Sequence, residues 1–140
     1  MSHKIPQIWV IEIDPHAQLI TQTTYPMNVD VAKELGHSSL DTVRIDLDHH
    51  MIVDDNGLLH KENMYFTLNI TKLLKLKEDT ADRILSLCGK TMLVRVDEEG
   101  NLMSCDYKLQ KVVEAVGWLP KGYRDEPYME FIDLENRVIH

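Results

Sequence analysis

LVRVDEEGNLM, at residues 93–103, is an apolar run that reaches an aspartate and becomes apolar again a few residues later. An Asp at the first position of a turn and a Gly or Asn at the fourth suit a type I turn followed by a left-handed residue, which folds a strand back on itself. The pattern recurs in IEIDPHAQLI (residues 11–20), MIVDDNGLL (51–59) and FIDLENRVI (131–139). We therefore expect β-hairpins with turns at Asp14, Asp54, Asp97 and Asp133.

The first hairpin is predicted to pair residues 8–13 with residues 19–24. Successive side chains of a strand point to opposite faces. The face that carries Trp9, Ile11 and Ile13 is the more apolar one. We expect that face to be the buried one.

Other segments have the spacing of short helices or strands. Helices are expected from a cap at Asn28 to Gly36, over residues 80–88, and from a cap at Asp106 to Gly117. Strands are expected at 42–47 with an extension toward residue 53, and at 64–70, 91–96 and 102–105. This order predicts an α+β fold with a mainly antiparallel sheet built from β-hairpins, and two or three short helices.

Size and composition are those of an ordinary globular domain. The chain has 140 residues, of which 44% are hydrophobic and 27% are charged, so residues 1–140 are predicted to form one domain. Its early apolar stretch is interrupted by Pro6 and Gln7, which favours a strand over a signal peptide and predicts a soluble cytoplasmic protein without membrane contact. Cys88 and Cys105 lie in apolar or strand-like sequence, which favours reduced packing residues over a disulfide.

The charge of the chain restricts its partners. Fifteen basic and 23 acidic residues give a net charge of −8, which opposes the electrostatic attraction that drives nucleic-acid binding. The acidity is explained either by solubility or by a function, in which an acidic face binds a basic partner or imitates a phosphate backbone.

The region from Val43 to Tyr107 also resembles a known family. A strand leads through Val53-Asp54-Asp55-Asn56-Gly57 to Asn63, and Gly89 later precedes the strand, turn and strand of LVRVDEEGNLMS. This order is similar to that of a family of small uncharacterised domains encoded mainly by phages, plasmids and related mobile elements. The chain departs from the family at His60-Lys61-Glu62, where a Leu-Pro-like pair would precede the Asn, and in its additional C-terminal hairpin. The resemblance implies a mobile-element context and no particular chemistry.

One cluster has the residue types of a metal site, namely Asp46, Asp48, His49 and His50. Carboxylates and imidazoles are ligands for Zn²⁺, Mn²⁺ or Fe²⁺. On a strand, however, His49 would point away from the other three, so a metal would need further ligands from a neighbouring strand. The alternative is a polar outer face beside a turn.

The C-terminal segment is rich in aromatic residues. Aromatic side chains and arginine are enriched at protein interfaces, whereas the alternative is that these rings cover the core. A terminal hairpin after this segment could pair with a sheet edge or with another copy of the chain, giving a homo-oligomer. The candidate partner-binding residues are Trp118, Tyr123, Arg124, Tyr128 and Phe131.

No recognisable nucleophile motif or phosphate-binding glycine loop occurs in the sequence. We therefore expect a small acidic cytoplasmic protein that needs no cofactor and acts by binding another protein, more in keeping with a non-enzyme than with an enzyme. Such a protein could modulate a host or defence component or serve as an immunity protein. The alternative is a metal-dependent hydrolase or metal-binding module centred on Asp46 to His50.

Overall fold

The computed structural model describes residues 5–57, 63–75 and 83–123. Within these ranges, antiparallel strands predominate and three short helices are present, which confirms the predicted α+β class. The strands are β1 (Gln7–Asp14), β2 (Leu19–Pro26), β3 (Leu40–Arg44), β4 (His49–Asp54), β5 (Tyr65–Asn69), β6 (Ile84–Cys88), β7 (Thr91–Val96), β8 (Leu102–Met103) and β9 (Val116–Trp118). The helices are α1 (Val31–Leu35), α2 (Ile70–Leu73) and α3 (Leu109–Ala115).

Strand β7 lies in the middle of the larger sheet and is covered on both faces. In the described part of the chain, the strand order is β2-β1-β7-β4-β3, with β8 paired to the end of β7. The first four residues of β7 are all buried, whichever face they point to. A strand covered on both sides requires a continuous apolar run rather than an alternation, and residues 92–94 supply one.

Two hydrophobic clusters cover the two faces of this sheet. On one face, Leu93 packs in the main core with Phe66 of the smaller sheet (β6-β5-β9) and Val112 of α3. On the other face, Met92 packs with Leu35 of α1. The larger sheet is therefore the central layer, between the smaller sheet with its helices and the short helix α1.

Two of the predicted aspartate turns are formed as expected. Asp14 Oδ1 accepts hydrogen bonds from the backbone N–H groups two and three residues later, at 3.0 and 3.3 Å, and Gln18 is left-handed with a φ of 53°. Asp97 Oδ1 accepts from the N–H groups two and four residues later, at 2.9 and 2.8 Å, and Gly100 has a φ of 86°. Both hairpins therefore combine a side-chain acceptor at the first position with a left-handed residue before the return strand.

The other two predicted turns cannot be followed to their return strands. Asp54 ends β4, and its Oδ1 accepts from the N–H of Asn56 at 2.9 Å, but residues 58–62 lie outside the described ranges. The turn at Asp133 and the terminal hairpin also lie outside them. The single domain of residues 1–140 stays a prediction. No helix of the described residues is both long and apolar enough to cross a membrane.

The strand expected to run from residue 42 toward residue 53 is instead a hairpin. β3 ends at Arg44 and β4 begins at His49, and the two strands pair with Val43 opposite Met51. The prediction was wrong because residues on either side of the reversal continue the same alternation of apolar and polar types. A period of two marks strand conformation but not where one strand ends.

The prediction of a helix over residues 80–88 was also wrong for residues 83–88, the part of this range that the structure describes. Residues 84–88 form β6, in which Leu85 pairs with Leu68 and Leu87 pairs with Phe66. Short apolar runs fit a helix or a strand equally well by spacing alone. Pairing with a distant strand decides between helix and strand here. β6 pairs with β5 along its whole length and so satisfies the backbone N–H and C=O groups on that edge of β5.

The ends of α1 and α3 differ from expectation in position. Asp30, rather than Asn28, caps α1, and its Oδ1 accepts from the backbone N–H of Lys33 at 3.2 Å. Gly36 ends α1 in a left-handed conformation as predicted, with a φ of 74°. Asp106 lies before the start of α3, which has no side-chain cap.

Gly117 was expected to end α3 but lies within β9, where it faces Thr67 of β5. A Cβ atom added at Gly117 would lie 2.7 Å from Thr67 Oγ1. Gly117 is therefore required by the close approach of two strands rather than by helix termination.

Both faces of β1 are buried, whereas only one was expected to be. Ile8 and Val10, on the face assigned to solvent, are 4% and 0% exposed because α1 and its neighbours cover them. Trp9, assigned to the buried face, is 53% exposed. An alternation within one strand does not show which neighbouring elements reach each side.

We expect Gly117→Ala to lower the free energy of unfolding by about 1–3 kcal/mol, because the new methyl group overpacks the β5–β9 contact. In a Thr67→Ala background, the atom that the methyl group would meet is absent, so the loss should be clearly smaller. Urea unfolding of the four proteins, followed by circular dichroism, measures both losses. Equal losses of stability in the wild-type and Thr67→Ala backgrounds would contradict the role of Thr67 in requiring a glycine at position 117.

Candidate functional site

The Asp46 to His50 passage forms the turn between β3 and β4. Asp46 Oδ1 accepts hydrogen bonds from the backbone N–H groups of Asp48 and His49, at 2.9 and 2.7 Å. Arg44 closes the turn from the other side, donating to the carbonyl oxygens of Asp46 and Leu47, each at 3.2 Å. Asp46 therefore has the same role as Asp14 and Asp97, that of a side-chain acceptor at the first position of a turn.

His49 is buried, and both of its ring nitrogens are engaged. The backbone N–H of Asp106 donates to His49 Nε2 at 3.0 Å, so this nitrogen carries no proton. His49 Nδ1 then carries the proton and donates to Asp46 Oδ1 at 3.1 Å. This neutral imidazole connects the β3–β4 turn to the segment that leads into α3, and neither nitrogen has a lone pair left for a metal.

Tyr107 completes this group of polar side chains, in which His49 is buried and Asp46 and Tyr107 are half-buried. Its hydroxyl donates to Asp46 Oδ2, and its ring lies against the His49 ring with centroids 4.5 Å apart. Burial by itself raises the pKa of Asp46, but hydrogen bonds from Tyr107, from the backbone N–H groups of Asp48 and His49, and from the His49 ring outweigh it and lower the pKa to about 2. Burial, followed by the bond to Asp46, raises the pKa of Tyr107. Asp46 is therefore held as an anion, and the side-chain and backbone donors around it are hydrogen-bonded to it.

The two remaining candidate ligands lie elsewhere. Asp48 lines a surface cleft. His50 pairs with Val94 on one side and Arg44 on the other, and it points to the face of the sheet opposite His49 because the two are neighbours in one strand. Among the residues that the structure describes, no group of three or more His, Cys, Asp or Glu side chains could hold a metal ion. A metal site at Asp46, Asp48, His49 and His50 therefore has no geometric support there and stays an untested alternative.

A cleft beside Asp48 is a charged concave surface of the described residues. Its volume is about 240 Å³, and three acidic residues and one arginine are among the residues that line it. Arg95 is held by a hydrogen bond from its Nε to the carbonyl oxygen of Ser104 at 3.1 Å and by Asp106 Oδ2 at 3.7 Å from its Nη1. We call this surface the acidic cleft; it is lined by Asp48, Arg95, Val96, Asp97, Glu98 and Met103.

The carboxylates of the acidic cleft differ in how they are held. Hydrogen bonds, first of all from the backbone N–H of Asn101, lower the pKa of Asp97, whose carboxylate is committed to its turn. Glu98 lies exposed in the same turn. The cleft therefore combines one carboxylate engaged in its turn with exposed acidic residues, a distribution that attracts a cationic group of another molecule.

Trp9 is an exposed aromatic residue that hydrogen bonds connect to the cleft through Ser104. Its backbone N–H donates to Ser104 Oγ at 3.0 Å, and its carbonyl oxygen accepts from the Cys105 N–H at 2.8 Å. Arg95 is bonded to the same segment through the Ser104 carbonyl. Trp9, which is 53% exposed, is therefore connected through Ser104 to Arg95 of the cleft. No sequence pattern indicates this proximity, because Trp9 alternates with core residues and Asp97 and Glu98 form a turn.

The aromatic residues predicted to bind a partner have other contacts where they are described. The Trp118 ring packs edge-on against Phe66 with centroids 6.4 Å apart. The Tyr123 ring packs against Tyr65 at 5.3 Å and is 38% exposed. These two rings cover the core. Arg124, Tyr128 and Phe131 lie outside the described residues.

Neither cysteine forms a disulfide, which confirms the prediction of free thiols. Burial is the main cause that raises the pKa of the Cys105 thiol, to about 11. A thiol with such a pKa is almost entirely protonated near neutral pH and is a poor nucleophile. Cys88 is buried beside Gly57, where an added Cβ would lie 2.5 Å from its sulfur.

The residues that carry the family resemblance come close together in space. Asn63 Nδ2 donates to the carbonyl oxygen of Gly57 at 2.8 Å, and an added Cβ on Gly89 would lie 3.6 Å from Asn63 Oδ1. The same added Cβ would lie 3.7 Å from His37 Cε1; His37 donates from Nε2 to the Lys90 carbonyl at 2.7 Å, and its Nδ1 lies 3.6 Å from Asp54 Oδ2. The shared residues therefore form a structural junction between the end of β4, the start of β5 and the β6–β7 connection.

We expect Tyr107→Phe to raise the pKa of Asp46 from about 2 toward its ordinary value of 3.8, because the hydroxyl that stabilises the carboxylate is removed. The folded-state pKa of Asp46 is lowered, so its contribution to stability is present above about pH 4 and is lost as the pH falls toward 2. The variant should therefore be less stable than the wild type by about 1 kcal/mol above pH 4, with a difference that narrows below it.

Carboxyl titration by nuclear magnetic resonance measures the pKa, and urea unfolding between pH 2 and about 7 measures the stability difference. Tyr25→Phe is the matched control, because its hydroxyl donates to Glu12 on the opposite face of the sheet. An Asp46 pKa that is unchanged in Tyr107→Phe, or that moves as far in the control, would contradict the assigned network.

The geometry of His49 also predicts the response to metals. Addition of Zn²⁺, Mn²⁺ or Ni²⁺ should leave the melting temperature unchanged, because a metal would have to displace the Asp106 N–H or the Nδ1 proton from the ring. A thermal-shift assay on the wild type, His49→Ala and His50→Ala tests this expectation. A rise in melting temperature that either substitution abolishes would favour the metal-binding alternative instead.

No protein family, no curated protein and no solved structure matches this chain. The resemblance to the mobile-element family therefore stays a prediction.

Proposed function

We propose that the protein is a small acidic binding protein that acts without catalysis of its own, by holding a basic segment of another protein in the acidic cleft beside Trp9. The observation that supports this proposal is the hydrogen-bonded connection between the two features. Arg95 and the backbone of Trp9 are both hydrogen-bonded to Ser104, so a single residue separates the exposed Trp9 from the arginine of the cleft.

The cleft has the chemistry to bind cations. Asp48, Asp97 and Glu98 contribute three negative charges against the single positive charge of Arg95. Because Arg95 is paired with Asp106, which does not line the cleft, a lysine or arginine side chain of a partner would pair with the acidic residues that do. Arginine is particularly suited because its planar group makes paired hydrogen bonds with carboxylates.

Trp9 adds the apolar contact that charge alone does not provide. Exposed charge pairs contribute little free energy, because solvent screens them and side chains lose freedom. A partly exposed tryptophan buries a large area at low entropic cost and is enriched among residues that dominate binding energies. Its ring face can also attract a cationic group directly. An exposed tryptophan connected through Ser104 to a charged cleft is thus a suitable anchor.

The charge of the whole chain favours the same class of partner. A net charge of −8 attracts basic proteins over distances comparable to the Debye length and accelerates their association. It repels nucleic acids and other acidic proteins. The acidic composition therefore acts together with the local cleft.

The biological setting is part of the same proposal. Modulation of a host or defence component, or an immunity role, would require binding of this kind and no catalytic group. The mobile-element setting is supported by the resemblance of the Val43 to Tyr107 region, and the cytoplasmic location by the sequence composition.

A defined probe tests the chemistry of the cleft. We expect a synthetic peptide rich in arginine to bind the wild type, and the same peptide with glutamine in place of arginine not to bind. Glu98→Lys reverses a charge that lines the cleft and should weaken binding about tenfold. Trp9→Ser should weaken it by a similar factor, because the anchoring ring is lost. Isothermal titration calorimetry measures these affinities.

Glu114→Lys is the matched control for charge, because Glu114 is exposed on α3 and the substitution changes the net charge by the same amount. It should leave the affinity close to that of the wild type. If Glu114→Lys weakens binding as much as Glu98→Lys, the affinity depends only on the net charge of the protein and the proposal fails. To find a natural partner, the wild type and the two variants are each used to capture proteins from a host lysate. The partner should be a basic protein that the wild type and Glu114→Lys retain and that Glu98→Lys does not retain.

A further inference from the structure

Strand β2 is an outer strand of the larger sheet, and within the described residues one of its edges is unpaired along its whole length. In the described part of the chain, β2 pairs only with β1. Its eight residues, from Leu19 to Pro26, all pair with β1 in an unbroken register. An edge of this length presents a row of unpaired backbone donors and acceptors.

The register shows which backbone groups face outward. Met27 N–H donates to the Pro6 carbonyl at 2.8 Å, so this opposed pair is hydrogen-bonded, and hydrogen-bonded pairs then alternate with unbonded ones along the hairpin. The unbonded positions of β2 are Ile20, Gln22 and Thr24, opposite Ile13, Ile11 and Trp9. At these three positions the N–H and C=O groups point away from β1. No hydrogen bond to them occurs within the described residues.

The edge also lacks the charged residues that often protect such strands. Natural edge strands are kept short or carry charged residues that prevent pairing with another chain. β2 has the sequence LITQTTYP, without a charge, and Gln22 and Thr24 are exposed. β3, the outer strand on the opposite side of the sheet, is five residues long and carries Asp41 and Arg44.

The geometry points to a two-fold pairing of β2 with β2 of a second copy of this chain. An antiparallel pairing centred on Gln22 places Gln22 opposite the partner's Gln22 and Ile20 opposite the partner's Thr24. Each of these opposed positions presents its N–H and C=O groups outward, so all three pairs are hydrogen-bonded, as a two-fold axis requires. The ladder is then limited by Pro26, which has no N–H to donate, and by the left-handed Gln18 before the strand.

The self-complementary register favours a second copy as the partner, and the absence of charge on β2 permits its approach. Two chains that each carry a charge of −8 can approach closely only where their surfaces are neutral, and β2 is such a surface. The acidic cleft lies on β7, β8 and the turn between them, beyond β1 in the strand order. The dimer therefore leaves the cleft open, and the inference does not depend on the proposed function.

Site-specific disulfide formation tests the register of this pairing. Directly opposed residues of a hydrogen-bonded pair have Cα atoms about 5.5 Å apart, within the range that a disulfide bridges. Gln22→Cys should therefore form a covalent dimer under mild oxidation. Thr24→Cys is the matched control, because each copy's position 24 lies four residues along the ladder from the partner's Thr24, about 13 Å away. A covalent dimer from both variants at equal rates, or from neither, would overturn the proposed register.

Sedimentation velocity on the unlinked protein tests the dimer itself. The wild type should show a monomer–dimer equilibrium. Gln22→Lys places like charges opposite each other and should raise the dissociation constant about fivefold. Gln22→Pro removes two hydrogen bonds of the ladder and should raise it tenfold or more. Neither change affects a hydrogen bond within the monomer.

Gln110→Lys is the control for the added charge, because Gln110 is exposed on α3, and it should leave the dissociation constant unchanged. Thermal unfolding of each variant at low protein concentration shows that the monomer is folded. A wild type that remains monomeric at all concentrations would overturn the proposal, and so would a folded Gln22→Pro variant that dimerises as strongly as the wild type. Occupation of this edge by residues 124–140 of the same chain would give the first of these results.

Discussion

Burial of β7 on both faces is the constraint on which the rest of this structure depends. The strand lies between β1 and β4, and residues on each of its faces join a separate hydrophobic cluster. Because neither face can be left to water, the chain must supply two covering layers. The smaller sheet with α2 and α3 forms one, and α1 forms the other. The same requirement explains why both faces of β1 are apolar apart from Glu12, which is paired with Tyr25 and Lys90.

The acidic residues of this chain have two distinct physical uses. Asp14, Asp46 and Asp97 accept hydrogen bonds from backbone N–H groups and so determine where strands reverse. A carboxylate engaged in this way is stabilised as an anion, which is the origin of the low pKa of Asp46. It has little capacity left to bind a ligand. Carboxylates that are not engaged in the same way, such as Glu98, supply the field of the acidic cleft. This division explains why Asp46 and His49, which have the composition of a metal site, form a buried structural link instead.

Local chemistry explains the parts of the fold and site that could be predicted. The hairpins at Asp14 and Asp97 follow from interactions within five residues, and the limits of β7 follow from a short apolar run. Gly36 ends α1 for an equally local reason, since its left-handed backbone strains other residues. The errors lie where a distant element decides. β6 is a strand because β5 offers it a hydrogen-bonding edge, and Gly117 is a strand residue because Thr67 approaches it closely.

The sequence by itself determined the α+β class, the places where aspartates reverse the chain, the free state of the cysteines and the acidic charge. All of these depend on composition or on contacts between residues that are close in the chain. Only the tertiary structure decided that Trp9 is exposed and bonded to Ser104, that Asp106 and Tyr107 complete the hydrogen bonds of His49 and Asp46, and that β2 is an outer strand of the larger sheet in the described part of the chain. These features join residues separated by as many as 95 positions, and strand order, which no local pattern encodes, brings them together.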